Sequence, residues 1–304
     1  MTATPSIAPV PTVRDRRTGR PPRRRAGGGA SRRSNPVAMA IGAVVIVVVF
    51  LLPYVIMLSG SLRSQPDITH IPPTYFGPSV LFRNYLTMWS SSVDPVKGLI
   101  ATVVISTFAT LLVLVCATPA AYYTARFRFP GRLAFLLLVL VTQMLQPTVL
   151  AVGLFREMLQ LGINDTWLAM ILINAAFNLA FAVWIMQSFF AAVPKEIDEA
   201  ATIDGAGKLQ VLFRVSLPLV WPGIVTAVIF VFVASWNEYA ASSVIMTSND
   251  KQPLTVTLPR FIGLYNAEWQ YIFGVSVVAV LPVVVLFAVI EKRLIGGLTA
   301  GAVK

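Results

Sequence analysis

Six apolar runs of bilayer-spanning length constrain this chain more than anything else in it: Val37 to Gly60, Leu99 to Tyr123, Leu133 to Phe155, Trp167 to Phe190, Trp221 to Met246 and Ile272 to Ile290. About 20 apolar residues cross the hydrocarbon core, and a lone run in lipid closes its backbone hydrogen bonds internally only as a helix. The expected architecture is therefore all-α, a polytopic membrane protein with six transmembrane helices. Composition agrees, at 56% hydrophobic and 12% charged, against roughly 45–50% and about 25% in soluble domains. One cysteine, Cys116, and one histidine, His70, allow no intrachain disulfide and no Cys/His zinc site or two-His HExxH helix. No metal site and no catalytic residues are expected.

The formal net charge is +11, yet nine arginines crowd into residues 1–35, a Pro/Gly-rich arm that cannot bury apolar surface and is expected to be disordered. A basic flank beside a first apolar span is a topology signal rather than a nucleic-acid site, and it holds the N-terminus in the cytoplasm. The run after it is too long for a signal h-region and is expected to stay uncleaved. That orientation puts eighteen of the 24 Lys and Arg residues inside, and both termini with them. Pro53, Pro119, Pro147 and Pro282 fall within spans and suggest kinked helices around a cavity. The segment from Ser61 to Lys97 is expected to lie on the outer surface as a loop with a short interfacial helix. The expected division is an arm over 1–35 and a membrane domain over 36–304.

Between the fourth and fifth spans, residues 191–220 form a charged loop. Pro194 suits a helix start, and Glu196, Asp198 and Glu199 follow in the first turn, where the helix dipole favours acids. Ile197, Ala200 and Ala201 share one face. Asp204, Gly205 and Gly207 then allow a turn, and a second amphipathic stretch runs from Lys208 to Pro218, with Val211, Leu212 and Val215 together. On charge alone this is a solvated loop between two spans. Gly205-Ala206-Gly207-Lys208 is no phosphate loop, because Thr202 stands where Walker A needs glycine and Leu209 where it needs Ser or Thr.

The spacing is more specific than the charge. Glu199-Ala200-Ala201, three residues, Gly205, nine residues, Val215, one residue and Leu217-Pro218 resembles the EAA loop of permease subunits in binding-protein-dependent ABC importers, with Val for Ile the one departure. That resemblance covers about residues 36 to 304 and implies a type I ABC importer permease fold. It implies that Glu199, Ala200, Ala201, Asp204, Gly205, Leu217 and Pro218 couple the chain to a cytoplasmic ATPase. ATP and Mg would be used by that partner, and no cofactor would be bound by this chain. The implied partners are a second homologous permease, two ATPase subunits, an extracytoplasmic solute-binding protein, a sugar and membrane lipid, with no nucleic acid. The implied place is the plasma membrane of a prokaryote.

Polar groups within the spans are costly, roughly 2.5–3.5 kcal/mol for a charge at mid-helix. Trp236-Asn237-Glu238-Tyr239 resembles the Trp-Asn-Glu-aromatic signature in the fifth helix of maltose-type carbohydrate importers. Asn174 and Asn178 share a face of the fourth span, and Gln143 and Gln146 pair on the third. Carboxamides and aromatic faces suit an uncharged sugar, so Asn174, Asn178, Trp236, Asn237, Glu238 and Tyr239 are candidates for the substrate pathway; the same groups can instead hydrogen-bond between helices. Ser248, Asn249, Asp250, Lys251 and Gln252 lie in a loop similar to the one that reaches into the binding protein, although any exposed loop has such a composition. Asn164-Asp165-Thr166 fits a glycosylation sequon. Glu291-Lys292-Arg293 and the Gly-rich tail resemble the family's cytoplasmic end. The alternatives are a permease for another polar solute such as glycerol phosphate, or a self-sufficient secondary carrier, which would need paired intramembrane charges and an inverted repeat.

Overall fold

The computed structural model describes residues 36–77, 80–91, 93–263 and 267–299. The expected arm over 1–35 and the last residues of the tail lie outside the described residues. The chain forms two units, 1–50 and 51–304, and the described part of the first is wholly helical. No strand occurs among the described residues.

The elements run in chain order as α1 (Pro36–Ser61), α2 (Gln65–Thr69), α3 (Asn84–Thr87), α4 (Pro95–Arg126), α5 (Arg132–Thr142), α6 (Pro147–Gln160), α7 (Trp167–Ala192), α8 (Lys195–Ile203), α9 (Lys208–Gln210), α10 (Leu217–Leu219), α11 (Trp221–Trp236), α12 (Ala240–Ile245), α13 (Leu254–Thr257) and α14 (Trp269–Thr299). A π-helical turn over Val211–Ser216 joins α9 to α10. Helix α14 continues to Thr299, beyond the last apolar span, which ends at Ile290 as expected.

Among the described residues five spans, Met39–Ser61, Pro95–Arg126, Trp167–Ala192, Trp221–Ile245 and Trp269–Ile290, are long and apolar enough to cross a membrane. The third expected span is not one straight helix. α5 and α6 meet at 98°, so the count is six only when this bent pair is taken as one span. The cause is local. Pro147 has no N–H to donate and disfavours helical geometry in the residue before it, and Gln146 is extended, at φ −84° and ψ 135°. By contrast Pro53, Pro119 and Pro282 sit inside helices that run on through them. The fifth span is also interrupted, over Asn237–Tyr239 between α11 and α12.

Helices α4 and α7 form the centre of the larger unit. On α4 the residues Ala101, Ile105, Ala109, Val113, Ala117 and Ala121 are all buried. Their four-residue spacing makes a ridge of mostly small side chains that lets a neighbouring helix approach closely. Met170, Ile173, Ala182, Val183, Met186 and Phe190 of α7 are buried in the same two apolar clusters. The segment after α1 carries the short helices α2 and α3 and packs against α14. Buried Arg63 donates through Nε to Tyr75 O at 2.9 Å and through Nη2 to Gly77 O at 2.7 Å. Met88 packs with Val275 of α14.

Candidate functional site

The EAA-spaced loop follows from its residues. Pro194 is the non-helical residue just before α8, at ψ 138°, and Glu196 and Asp198 stand in the first turn. Gly205 ends the helix at φ +89°, a left-handed conformation that glycine adopts without steric cost. Its N–H donates to Thr202 O and that of Ala206 to Ala201 O, both at 3.0 Å. Together these bonds make a Schellman closure. Asp204 is the exposed cap residue between them.

The inward face of α8 differs from the expected one. Ala201 packs on the main core cluster, but Ile197 and Ala200 are exposed, as is Glu199. The residue turned inward beside Ala201 is Asp198. Its Oδ2 lies 2.8 Å from Arg126 Nε at the end of α4 and accepts a 3.2 Å hydrogen bond from Tyr122 Oη. Its Oδ1 accepts from Ser216 Oγ at 2.7 Å. Val211 and Leu212 are buried together and Leu217 joins the same cluster, while Val215 is half-buried and Pro218 is exposed. Ile203, Leu209 and Phe213 are exposed apolar side chains around the loop. A cavity of about 480 Å³ opens between α8 and the end of α4.

A second group of candidates converges within the spans. Gln143 and Gln146 at the α5–α6 bend, Asn174 and Asn178 on α7, and Glu238 at the α11–α12 break line one cavity of about 240 Å³, with Phe177. Trp236 and Asn237 face another cavity, of about 330 Å³, lined also by Tyr54, Thr102, Thr255 and Ser276. Tyr239 lines neither and is exposed. The Glu238 carboxylate caps α12, accepting from Ala241 N at 2.7 Å, from Ser242 N at 3.0 Å and from Ser242 Oγ. Asn237 donates Nδ2 to Val233 O at 2.9 Å. The interruption in the fifth span is thus built from its own polar residues, which supply the hydrogen bonds a broken helix loses.

The 247–252 loop is held by a residue outside the candidate set. Asp165 Oδ1 accepts from Thr247 N and Ser248 N, each at 2.9 Å, and Oδ2 accepts from Ser248 Oγ. Lys251 Nζ reaches the Asp165 carbonyl at 3.0 Å and Oδ2 at 3.3 Å. Trp167 Nε1 donates to Lys251 O at 2.9 Å, and buried Gln252 donates to Met246 O. Asn249 and Asp250 alone among the five expected loop residues are exposed. Burial pushes the Asp165 carboxyl up, but the Ser248 hydroxyl and amide, together with Lys251, outweigh it and hold the group at about 2. Asp165 is itself left-handed at φ +58°, which Asp tolerates better than most residues. The only sequence signal for this clasp was the polar run Asn164-Asp165-Thr166. Because α7 leads from the clasp to the EAA-spaced loop, the two lie at opposite ends of a 26-residue helix, about 39 Å long.

Residues 117–295 match the family described as the binding-protein-dependent transport system inner membrane component. The chain belongs to that family. An inner membrane ABC transporter permease protein of Escherichia coli is 29% identical over 86% of this chain and 94% of its own length. A sulfoquinovosyl glycerol transport system permease protein of Agrobacterium fabrum is 31% identical over 87% and 92%. A trehalose/maltose transport system permease protein of Thermococcus litoralis is 29% identical over 88% and 96%. Among solved structures, the permease resembles a chain of a bacterial ABC transporter involved in the import of the acidic polysaccharide alginate. The TM-score is 0.73 at 22% identity, over 86% of this chain and 97% of that one. The permease is thus a multi-pass membrane component of a binding-protein-dependent ABC importer, in a family of non-enzymatic subunits.

Proposed function

We propose that this permease carries a sugar or oligosaccharide, delivered by an extracytoplasmic binding protein, through a path shared with a second homologous permease. Two cytoplasmic ATPase subunits, using ATP and Mg, act on the EAA-spaced loop through Glu199, Ala200 and Gly205. Both termini lie in the cytoplasm of a prokaryotic cell, and Ser248 to Gln252 face the binding protein. The observation that carries this reading is the loop itself. A short helix closed by a left-handed glycine presents Glu199 and Ala200 outward, beside exposed Ile203, Leu209 and Phe213, and clustered apolar side chains at a polar surface mark a partner's docking site.

Carbohydrate as substrate is supported by the names of the relatives and by the polar cavity. Asn174 donates Nδ2 to Met170 O at 2.9 Å and Asn178 to Asn174 O at 2.8 Å. Each carboxamide oxygen is then left as an acceptor for a solute. Gln143 similarly turns Nε2 toward Phe177 O at 3.4 Å. Such a wall suits a solute rich in hydroxyl donors, and Phe177 offers an apolar platform for a sugar's C–H face.

The test is purification of the tagged chain from its host in mild detergent, with mass spectrometry of what accompanies it. A second permease, an ATPase with a Walker A motif and a solute-binding protein are expected, and the binding protein is then screened against sugars. Isolation of the chain alone, active in liposomes under an ion gradient, would replace this reading with a secondary carrier.

A further inference from the structure

We infer that Arg126 and Asp198 are positioning residues that fasten the EAA-spaced loop to the end of α4, so that displacement of the loop is displacement of α4. The inference rests on the coupling reading of the loop. Arg126 and Asp198 side chains are only 5% and 13% exposed, and their nearest N–O separation is 2.8 Å. Arg126 also donates Nη1 to Val193 O at 2.7 Å, which pins the chain where α7 hands over to α8. Asp198 takes Tyr122 Oη from α4 on one oxygen and Ser216 Oγ from the π-helical turn on the other. One carboxylate and one guanidinium therefore tie together α4, the end of α7, α8 and the π-helical turn of the loop.

The geometry gives the pair a direction of action. α8 turns Glu199 and Ala200 outward and Asp198 and Ala201 inward, so a push on the outward face is delivered to Arg126. Apolar contacts slide past one another, whereas a buried pair with hydrogen-bonded partners on both oxygens holds its register. At the far end of α4, Thr102 Oγ1 accepts from Leu254 N of α13 at 2.8 Å. Gly98 lies so close to Thr257 that a Cβ there would stand 2.8 Å from its Oγ1. α4 thus joins the EAA-spaced loop to the segment that follows the 247–252 loop. The sequence had counted Asp198 as a helix-dipole residue and Arg126 as a topology charge.

The experiment uses the complete importer, this chain co-expressed with its second permease and ATPase and reconstituted in liposomes with its binding protein. The quantity read is sugar taken up per ATP hydrolysed. Asp198→Asn is expected to insert and retain the ATPase while uptake per ATP falls roughly ten-fold. The deciding variant is the double replacement Arg126→Met with Asp198→Leu, since apolar residues of similar size often stand in for a buried pair without loss of stability. It is expected to assemble and stay uncoupled. Wild-type uptake per ATP in that assembled double variant overturns the inference, because packing alone would then suffice. Glu199→Lys separates the two layers of the reading. Normal uptake in Glu199→Lys sinks the coupling-loop reading and this inference with it. Lost ATPase retention in Glu199→Lys beside an unchanged ratio in the double variant sinks this inference alone.

Discussion

Replacing Asp165 with Asn should loosen the 247–252 loop by an amount that the clasp itself fixes. Asn is the right perturbation because it keeps the side chain's size and tolerates the left-handed backbone at φ +58°, so the change is confined to charge and acceptor strength. The carboxyl drops from 3.8 to about 2, which at roughly 1.4 kcal/mol per unit is about 2 kcal/mol in favour of the ionised clasp. Asn keeps an oxygen that accepts from the two amides, so only part of that contribution is lost and the population of the opened loop rises roughly ten-fold. The assay is hydrogen exchange of the Thr247 and Ser248 amides, both bonded to Asp165 Oδ1, read by mass spectrometry on the protein in nanodiscs. The pH dependence has a definite sign. The folded value lies below the free one, so the stabilisation is complete above about pH 4 and is lost as pH falls toward 2. Between pH 6 and 8 the wild-type protection should be flat once intrinsic exchange is removed. Unchanged protection in Asp165→Asn, or a loss of protection setting in near neutral pH, would refute the reasoning.

Gly205→Val should strain the loop by roughly 1–2 kcal/mol through backbone conformation alone, since nothing lies within 4 Å of the added Cβ; co-purification of the ATPase should fall, and Gly205→Asn should largely keep it. Gly98→Ala should lower the melting temperature, because its Cβ would stand 2.8 Å from Thr257 Oγ1 and 3.3 Å from Leu254 Cα; overpacking of this kind costs roughly 1–3 kcal/mol. Glu238→Ala should leave the Ala241 and Ser242 amides uncapped inside the membrane, at roughly 1–3 kcal/mol. Thermal unfolding in detergent should register that loss, and Glu238→Gln should recover part of it.

Much of the fold was legible because it depends on quantities that add along the chain. Apolar length marks a span, and a glycine after an Ala-rich helix marks its end, so the spans and the turn at Gly205 emerge from the residues. Breaks do not add in this way. Pro147 looks like Pro119 in sequence, yet α4 runs through Pro119 and the chain turns at Pro147. A run of apolar residues scores as continuous whether or not its backbone is. The Asp198 site was hidden for another reason. Its partner Tyr122 lies 76 residues away, and nothing local distinguishes an acid that turns inward from one that meets solvent. Glu238 was legible as unusual, but not as a cap, because the break that needs capping was itself invisible. Asp165 is the converse, an ordinary loop acid whose importance comes entirely from the loop it meets.

The two fastenings differ in kind. At the EAA-spaced loop the side chains of the ion pair are only 5% and 13% exposed, at the wall of the cavity beside α8, and removing either partner leaves an uncompensated charge. At the 247–252 loop Lys251 is 44% exposed against 16% for Asp165. Screening at physiological ionic strength acts within about 8 Å and weakens the lysine's share, while the amide and hydroxyl bonds of Ser248 persist. Salt therefore loosens the 247–252 loop more than the EAA-spaced loop. Under the proposed function, the loop that passes force has the buried attachment and the loop that meets a transient partner has the more exposed one. Both attachments sit on or beside α7, and each draws on residues distant in sequence, so the helix that separates them fixes the spacing between a firm joint and a yielding one.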